Sequence, residues 1–206
     1  MRADELTNID IVLYALFRLG GYQHKVHTEE VAHEAYKLAK DRFGWRLQKF
    51  REKDFPDKEP VRISLMDAAK EKYGSLVEGR SGVEATGKEI DGWAFTPQGA
   101  KWIRDHHKRI EGKMGLERSK ITKKDADRFI RQIKEQSLFR SFAQGNLGKQ
   151  SRYALTDMLN TSPDAPKNIV TKKFRRLQST AELAGDEEII RFLNECAAAF
   201  SEILSD

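Results

Sequence analysis

The run Lys172-Lys173-Phe174-Arg175-Arg176 places four cations within five residues of a segment with helical periodicity. Phe174 belongs to the apolar seam of that segment, so the cations crowd the remaining surface of one turn. Such crowding is electrostatically unfavourable unless acidic side chains or phosphate groups neutralise it. The acids of the following segment, Glu187, Glu188 and Glu195, are one source of neutralisation, and a phosphate-bearing partner is the other. Lys172, Lys173, Arg175 and Arg176 are therefore candidate phosphate contacts.

Three segments have parts of a catalytic motif, and each lacks what the chemistry requires. Gly145 to Ser151 contains a Gly-Lys pair, but a phosphate-binding loop needs a wider glycine spacing and a Ser or Thr directly after the lysine. Pro56-Asp57 lacks the second acid and the lysine on a neighbouring strand that a restriction-type nuclease site requires. Cys196 lies at an apolar seam position, which is typical of a buried small hydrophobe. We predict a protein without catalytic residues.

The histidines and the cysteine also fail to form a metal site in the sequence. His24 and His27 precede the start of a predicted helix, so their spacing has no scaffold. His106 and His107 are adjacent and point to different sides of one helix. With Cys196 as the single cysteine, an internal disulfide and a Cys-based zinc site are both excluded. We predict that the protein uses no metal and no cofactor.

The charge of the chain is distributed unevenly over its 206 residues. Residues 1–120 hold 23 Lys and Arg against 20 Asp and Glu, a net charge of +3. Residues 121–180 hold 13 against 5, a net charge of +8, and residues 181–206 hold 1 against 7, a net charge of −6. A basic middle segment favours a polyanionic partner, because neutralised phosphates release counterions.

The sequence has no pattern typical of a membrane protein or an exported one. Its longest apolar run, Ile11 to Phe17, is too short to span a bilayer. Met1 is followed by charged residues and not by the apolar core of a signal peptide. We therefore expect a cytoplasmic protein with no membrane partner. The chain length suits one ordinary domain with an appendage, or two small domains.

The first half of the chain has the pattern of three helices, a β-hairpin and a further helix. Asn8 and Thr28 are the predicted N-caps of the first two helices. Pro56 interrupts any long helix in the insertion, Gly74 is a predicted left-handed C-cap, and Thr96-Pro97 is a helix start. The predicted elements are helices over 9–19, 28–39, 61–73 and 96–110, an ordered insertion with a short helix at 41–60, and a two-stranded hairpin with a long tip over 75–95.

The segment from Trp93 to Ile103, WAFTPQGAKWI, carries a resemblance to a known family. It resembles the aromatic-x-Leu-Thr-x-x-Gly-x-x-x-Leu segment that leads from the wing strand into the next helix in winged helix-turn-helix regulators of the MarR and PadR type. Upstream, residues 61–77 are similar to the third helix, the glycine stop and the first wing strand of those regulators, with Leu65, Gly74, Leu76 and Val77 in step. The insertion at 41–60 departs from the tight turn that these families keep before the third helix.

This resemblance implies a protein that binds double-stranded DNA, for example a transcriptional regulator. In such a protein helix 61–73 would lie in the major groove and the hairpin would be the wing. Val61, Leu65 and Ala68 are predicted to face inward, which turns Arg62 and Ser64 outward. The candidate DNA-binding residues are Lys58, Arg62, Ser64, Lys70, Arg80 and Lys88, with Arg46 and Lys49 as further candidate phosphate contacts.

Two acids on the same predicted helix favour a different function. Asp67 and Glu71 would repel phosphate groups near the major-groove face. The alternative hypothesis is therefore a protein-interaction adaptor, a subunit of a larger complex that uses the winged helix as a docking module.

The last forty residues have the strictest helical periodicity of the chain. Apolar residues step 4-3-4-3 over 170–184 and again over 189–203, which predicts an antiparallel helical hairpin. Four apolar residues fall partly outside the two seams and need cover, Ile169, Ile190, Phe192 and Leu204. The helices predicted over 122–142 and 151–160 could cover them, or the hairpin of a second chain could. We predict the second arrangement, a homodimer through the C-terminal helices.

The predicted fold class is mainly α. A winged helix, three helices plus a β-hairpin wing, occupies residues 1–112, and a linker follows at 113–121. A helical domain at 122–206, which ends in the helical hairpin, supplies an oligomer or partner interface.

Overall fold

The structure is a computed structural model that describes residues 5–47, 49, 55–82, 90–116 and 121–204. The chain divides into two compact units, Met1–Arg118 and Ser119–Asp206. Helices dominate both units, and the described residues contain one small sheet of two antiparallel strands. The prediction of a mainly α protein is confirmed.

Helix α1 (Asn8–Arg18) is buried nearly all round, as its apolar sequence predicts. Its N-cap is Thr7, so the prediction of Asn8 as the cap is wrong. The Thr7 hydroxyl accepts a hydrogen bond from the Asp10 amide at 3.1 Å, and the Asp10 carboxylate accepts one from the Thr7 amide at 2.8 Å. This reciprocal capping box satisfies two backbone donors at the start of the helix, which one Asn side chain could not do.

Helix α2 (Thr28–Leu38) begins at the predicted residue, but its N-cap is His27, one residue before the predicted cap Thr28. Nδ1 of His27 accepts a hydrogen bond from the Glu29 amide at 3.1 Å. Thr28, the predicted cap, is buried, and both its amide and its hydroxyl donate to the Asp91 carboxylate. A short helix, α3 (Lys40–Phe43), follows and buries Phe43.

Helix α4 (Lys58–Ala68) starts and ends earlier than the predicted helix over 61–73. Asp57 caps its N-terminus, and a separate 3-10 turn, Glu71–Tyr73, follows its end. Gly74 has the predicted left-handed conformation, with φ of 93°. The Leu76 amide then bonds to the Ala68 carbonyl at 2.8 Å. The early end lets the chain turn back and bury Leu76, which leaves Tyr73 42% exposed.

Strands β1 (Val77–Arg80) and β2 (Gly92–Phe95) pair in antiparallel register from Val77–Phe95 to Arg80–Gly92. All four residues of β2 are buried. Val26 pairs with the other edge of β2 through two hydrogen bonds of 2.9 Å to Trp93. The strands agree with the predicted hairpin, and residues 83–89 of its tip, Lys88 among them, lie outside the described residues.

Helix α5 (Pro97–Met114) begins where the sequence predicts. The Thr96 hydroxyl accepts from the Gly99 amide at 3.1 Å and donates to the Ser75 carbonyl at 2.7 Å. A Cβ atom at Gly99 would lie 1.8 Å from the Leu76 carbonyl oxygen, so the helix packs directly on the backbone before β1. The helix continues beyond the predicted end at Ile110 to Met114, and Gly115 caps it in the left-handed conformation.

The second unit is entirely helical in its described part. Its helices are α6 (Ile121–Lys134), α7 (Ser137–Ala143), α8 (Arg152–Met158), α9 (Lys167–Ala184), α10 (Glu187–Ala199) and α11 (Ser201–Leu204). α9 and α10 form the predicted hairpin, joined by a left-handed Gly185 and the capping residue Asp186. The predicted seam positions lie in one apolar core, among them Val170, Phe174, Leu177, Ala181, Ile189, Leu193, Cys196 and Phe200.

Phe192, one of the four residues predicted to need cover outside the two seams, is completely buried. Its ring contacts Phe139 and Phe142 of α7, with centroid distances of 5.1 and 5.3 Å. Both rings belong to the segment predicted to be helical over 122–142, which forms α6 and α7. Ile169 remains 41% exposed. The chain's own helices therefore supply the cover that the largest of the four residues needs.

Candidate nucleic-acid interface

The inner face of α4 agrees with the sequence prediction, since Val61, Leu65 and Ala68 are fully buried. Ser64 does not point outward as predicted, because the residue is only 5% exposed. Its hydroxyl donates to the Pro60 carbonyl at 2.8 Å, one turn earlier in the helix. Pro60 lies in the first turn, and the hydroxyl is small enough to pack beside Leu65 in the core. Ser64 is therefore removed from the candidate DNA contacts.

Each candidate cation on or beside α4 has a carboxylate partner on the same surface. Lys58 pairs with Glu29 of α2 at 3.0 Å, Arg62 with Glu59 at 2.8 Å, and Lys70 with Asp67 at 2.7 Å. The Arg62 hydrogen bonds hold the pKa of Glu59 below its usual value, and the Lys70 hydrogen bond does the same for Asp67. The local charge of this surface is therefore close to zero, although it is rich in charged residues.

Two apolar residues occupy the centre of the outward face of α4. Ile63 is 48% exposed and Met66 is 42% exposed. A guanidinium nitrogen of Arg62 lies 3.0 Å from the Met66 sulfur, so the arginine extends along the helix. Beside this face is a groove of about 550 Å³, lined by Thr7, Asn8, Ile9, Arg46, Asp57, Glu59, Pro60, Ile63, Ser64 and Asp67. The face combines paired charges with apolar side chains.

Three further candidates of the first unit, Arg46, Lys49 and Arg80, are exposed. Arg80 lies at the exposed end of β1, and Lys49 and Arg46 lie on the insertion. Arg46 also lines the groove next to α4. Two aromatic residues of the same insertion, Trp45 and Phe55, are 43% and 50% exposed. Of these residues, Arg46 shares the groove with α4, so a partner in that groove meets its cation.

A polar cluster that the sequence did not predict attaches the hairpin to α2. Oδ1 of Asp91 accepts from the Thr28 amide at 2.8 Å and from the Thr28 hydroxyl, and the Trp93 indole donates to that hydroxyl at 3.0 Å. His27 Nε2 lies 4.0 Å from the other Asp91 oxygen. An acid next to Gly92 at the start of β2 was the available signal. Its partner is 63 residues away, so spacing alone could not identify it.

The basic run of the second unit lies on α9 with Phe174 turned into the core. Lys172 is exposed, and Arg175 and Arg176 are half-buried. The Lys173 ammonium donates to the backbone carbonyls of Leu159 and Asn160, at 3.3 and 2.6 Å. The run therefore keeps its cations on the outer side of the helix, as predicted.

The predicted neutralisation of this run by the following acids is wrong for Glu188. Glu188 and Asp186 instead pair with Lys134 of α6, both at 2.9 Å. Their hydrogen bonds raise the pKa of the Lys134 ammonium above its usual value. α6 packs against α9 and α10, which brings Lys134 to the turn between them. The tertiary arrangement thus gives the acids a cation from a third helix.

No group of three or more His, Cys, Asp or Glu residues in the described part of the chain is placed to hold a metal ion. Cys196 is buried, as predicted, and its burial raises the pKa of the thiol to about 12. A thiol with such a pKa stays protonated and unreactive at neutral pH. The segment Leu147–Lys149 forms a 3-10 turn after a helix, which is not the context of a phosphate-binding loop.

None of the helices in the described part of the chain combines the length and the apolar character that crossing a bilayer requires. No protein-family model, curated protein or solved structure matches the chain.

Proposed function

We propose that this chain is a non-catalytic protein that binds double-stranded DNA, with its first unit arranged as a winged helix. In this proposal α1, α2 and α4 are the three helices, β1 and β2 are the wing, and α4 faces the major groove. The element order supports it, because the hairpin follows α4 directly and leads into the capped helix α5. The cluster of Asp91, Thr28 and Trp93 would hold the wing against α2.

The observation that carries the proposal is the open outward face of α4 with the cations Lys58, Arg62 and Lys70 along it. All three side chains are between about one third and one half exposed, and each forms an ion pair with a carboxylate at the surface. Ion pairs that remain in contact with water exchange readily, so a phosphate group can take over the cation. A contact made in this way gains less affinity than one from an unpaired cation. We therefore expect moderate binding with a marked dependence on salt.

Replacing Arg62 and Arg80 together by alanine is expected to weaken duplex binding about tenfold and to lower the salt slope by about 1 to 2. The reason is the loss of one cation from α4 and one from the wing. The measurement is fluorescence anisotropy with a labelled duplex of about 20 base pairs at about 50 and about 200 mM salt. The matched control is Lys101→Ala with Lys108→Ala, which removes two exposed cations from α5. Equal effects of the two variants would contradict the groove assignment.

A second function, a protein-interaction adaptor, is favoured by Ile63 and Met66. Exposed aliphatic side chains at the centre of a helix face are typical of a protein contact, since phosphate groups gain nothing from them. The same titration separates the two functions. An adaptor has no affinity for the duplex at about 50 mM salt, whereas a phosphate-binding protein binds most tightly there.

Part of the cover that the predicted homodimer would supply is available within the chain. Phe192 is covered by α7 of the same chain, and Asp186 and Glu188 pair with Lys134. We therefore expect light scattering at micromolar concentration to give a mass near 23.7 kDa. A mass of about twice that value would restore the dimer, with the exposed Ile169 as the place to search for its interface.

A further inference from the structure

We propose that the outward face of α9 from Lys172 to Arg176 is a contact site for the phosphate backbone of duplex DNA. This site lies in the second unit, whereas the proposed winged helix lies in the first. The inference rests on the proposed function, and it assigns to the basic run a role in affinity without base recognition.

The core position of Phe174 determines which side of α9 faces outward. Phe174 is 3% exposed and sits in the core with Val170 and Leu177, which fixes the rotation of α9 about its axis. Lys172 and Arg176, one helical turn apart, are then on the opposite side, and successive side chains of this spacing are neighbours on a helix surface. A rigid helix that presents two cations one turn apart needs little reordering to meet a strand of phosphates.

The positive charge of the basic run is the second feature of this site. Lys134 of α6 pairs with Asp186 and Glu188, two of the acids that follow α9, both at 2.9 Å. Residues 121–180 have a net charge of +8, and the run 172–176 contains no acid that would neutralise its four cations.

Several cations of this unit donate hydrogen bonds to neutral carbonyl oxygen atoms. Lys173 holds two carbonyls, Lys167 donates to the Glu202 carbonyl at 2.7 Å, and Arg152 donates to the Ala165 carbonyl at 2.9 Å. A carbonyl satisfies a donor without removing its positive charge. These side chains therefore stabilise the fold and still contribute to the positive potential around Lys172 and Arg176.

Arg128 and Arg131 on α6, which packs against α9, add exposed cations to the same unit. Charges within about a Debye length of a binding surface, near 10 Å in moderate salt, attract a polyanion even without direct contact. A duplex carries a dense row of phosphates, so it gains most from a surface with several uncancelled cations.

The test is the titration of a labelled duplex of about 20 base pairs with the full chain and with Lys172→Gln combined with Arg176→Gln. Glutamine keeps the helix propensity, and Lys173 is left in place because it holds the chain after α8. We expect about tenfold weaker binding near 100 mM salt and a salt slope lower by about 1.8, since two phosphate contacts are lost. The matched control, Lys101→Gln with Lys108→Gln, is expected to keep the parent slope.

Charge is separated from packing by Lys172→Arg with Arg176→Lys, which keeps both cations and is expected to bind like the parent. If this exchange weakens binding as much as the glutamine variant, the basic run does not act through its charge and the inference is overturned. It is also overturned if the glutamine variant and its control bind alike, and the proposed function then survives because the parent still binds. A parent chain with no affinity at about 50 mM salt would overturn both.

Discussion

Replacing Gly99 by alanine is expected to destabilise the first unit by about 3 kcal/mol or more, although alanine is the better helix former. The added Cβ would lie 1.8 Å from the Leu76 carbonyl oxygen and 2.9 Å from a ring carbon of Phe95. The carbonyl belongs to backbone that enters β1, so the clash cannot be relieved by a side-chain rotation. The helix must move away from the sheet, which opens the core beneath Thr96.

Gly112→Ala is the matched control, because it changes the same residue type in the same helix where nothing lies within 4 Å of the new atom. We expect it to stabilise the unit by about 0.5 to 1 kcal/mol. The measurement is urea unfolding followed by tryptophan fluorescence. All three tryptophans, Trp45, Trp93 and Trp102, lie in the first unit, so the signal reports on that unit alone. A Gly99→Ala protein as stable as the parent would disprove the packing of α5 on the strand backbone.

Phe174→Asp is expected to unfold the second unit and leave the first one folded. The substitution removes a ring that is 3% exposed and places an unpaired charge in the core. Loss of the buried ring costs about 3 to 5 kcal/mol, and the buried charge adds to that. The total is comparable to the entire stability of a unit of this size. The burial of Phe174 in the core of its own chain therefore makes unfolding of this unit the expected result.

The readout combines two signals. Far-ultraviolet circular dichroism should lose the helical contribution of α6 to α11, while tryptophan fluorescence should keep the parent's unfolding midpoint. Tyr153→Asp is the control, because it introduces the same charge on a residue that is 67% exposed and should change stability by less than about 0.5 kcal/mol. Retention of the full helical signal by Phe174→Asp would contradict the core position of that ring.

The sequence by itself determined the features that depend on local periodicity and backbone chemistry. Apolar residues at helical spacing predict α1 and the hairpin of α9 and α10, because a helix must bury one stripe wherever its partner comes from. Thr96 and Pro97 predict the start of α5, since capping involves only the residues of one turn. Gly74 and Gly185 take the left-handed conformation that ends a helix, which a glycine adopts without strain.

Only the tertiary structure decided the surfaces on which the function depends. Whether Lys58, Arg62 and Lys70 carry uncancelled charge depends on the acids beside them, and Glu29, the partner of Lys58, comes from another helix. Asp186 and Glu188 pair with Lys134, because α6 packs against α9 and α10. Ser64 is buried although it was predicted to face outward, and the cover of Phe192 comes from α7. Periodicity states which face of an element is buried, whereas the neighbours of an exposed side chain follow from how distant elements pack.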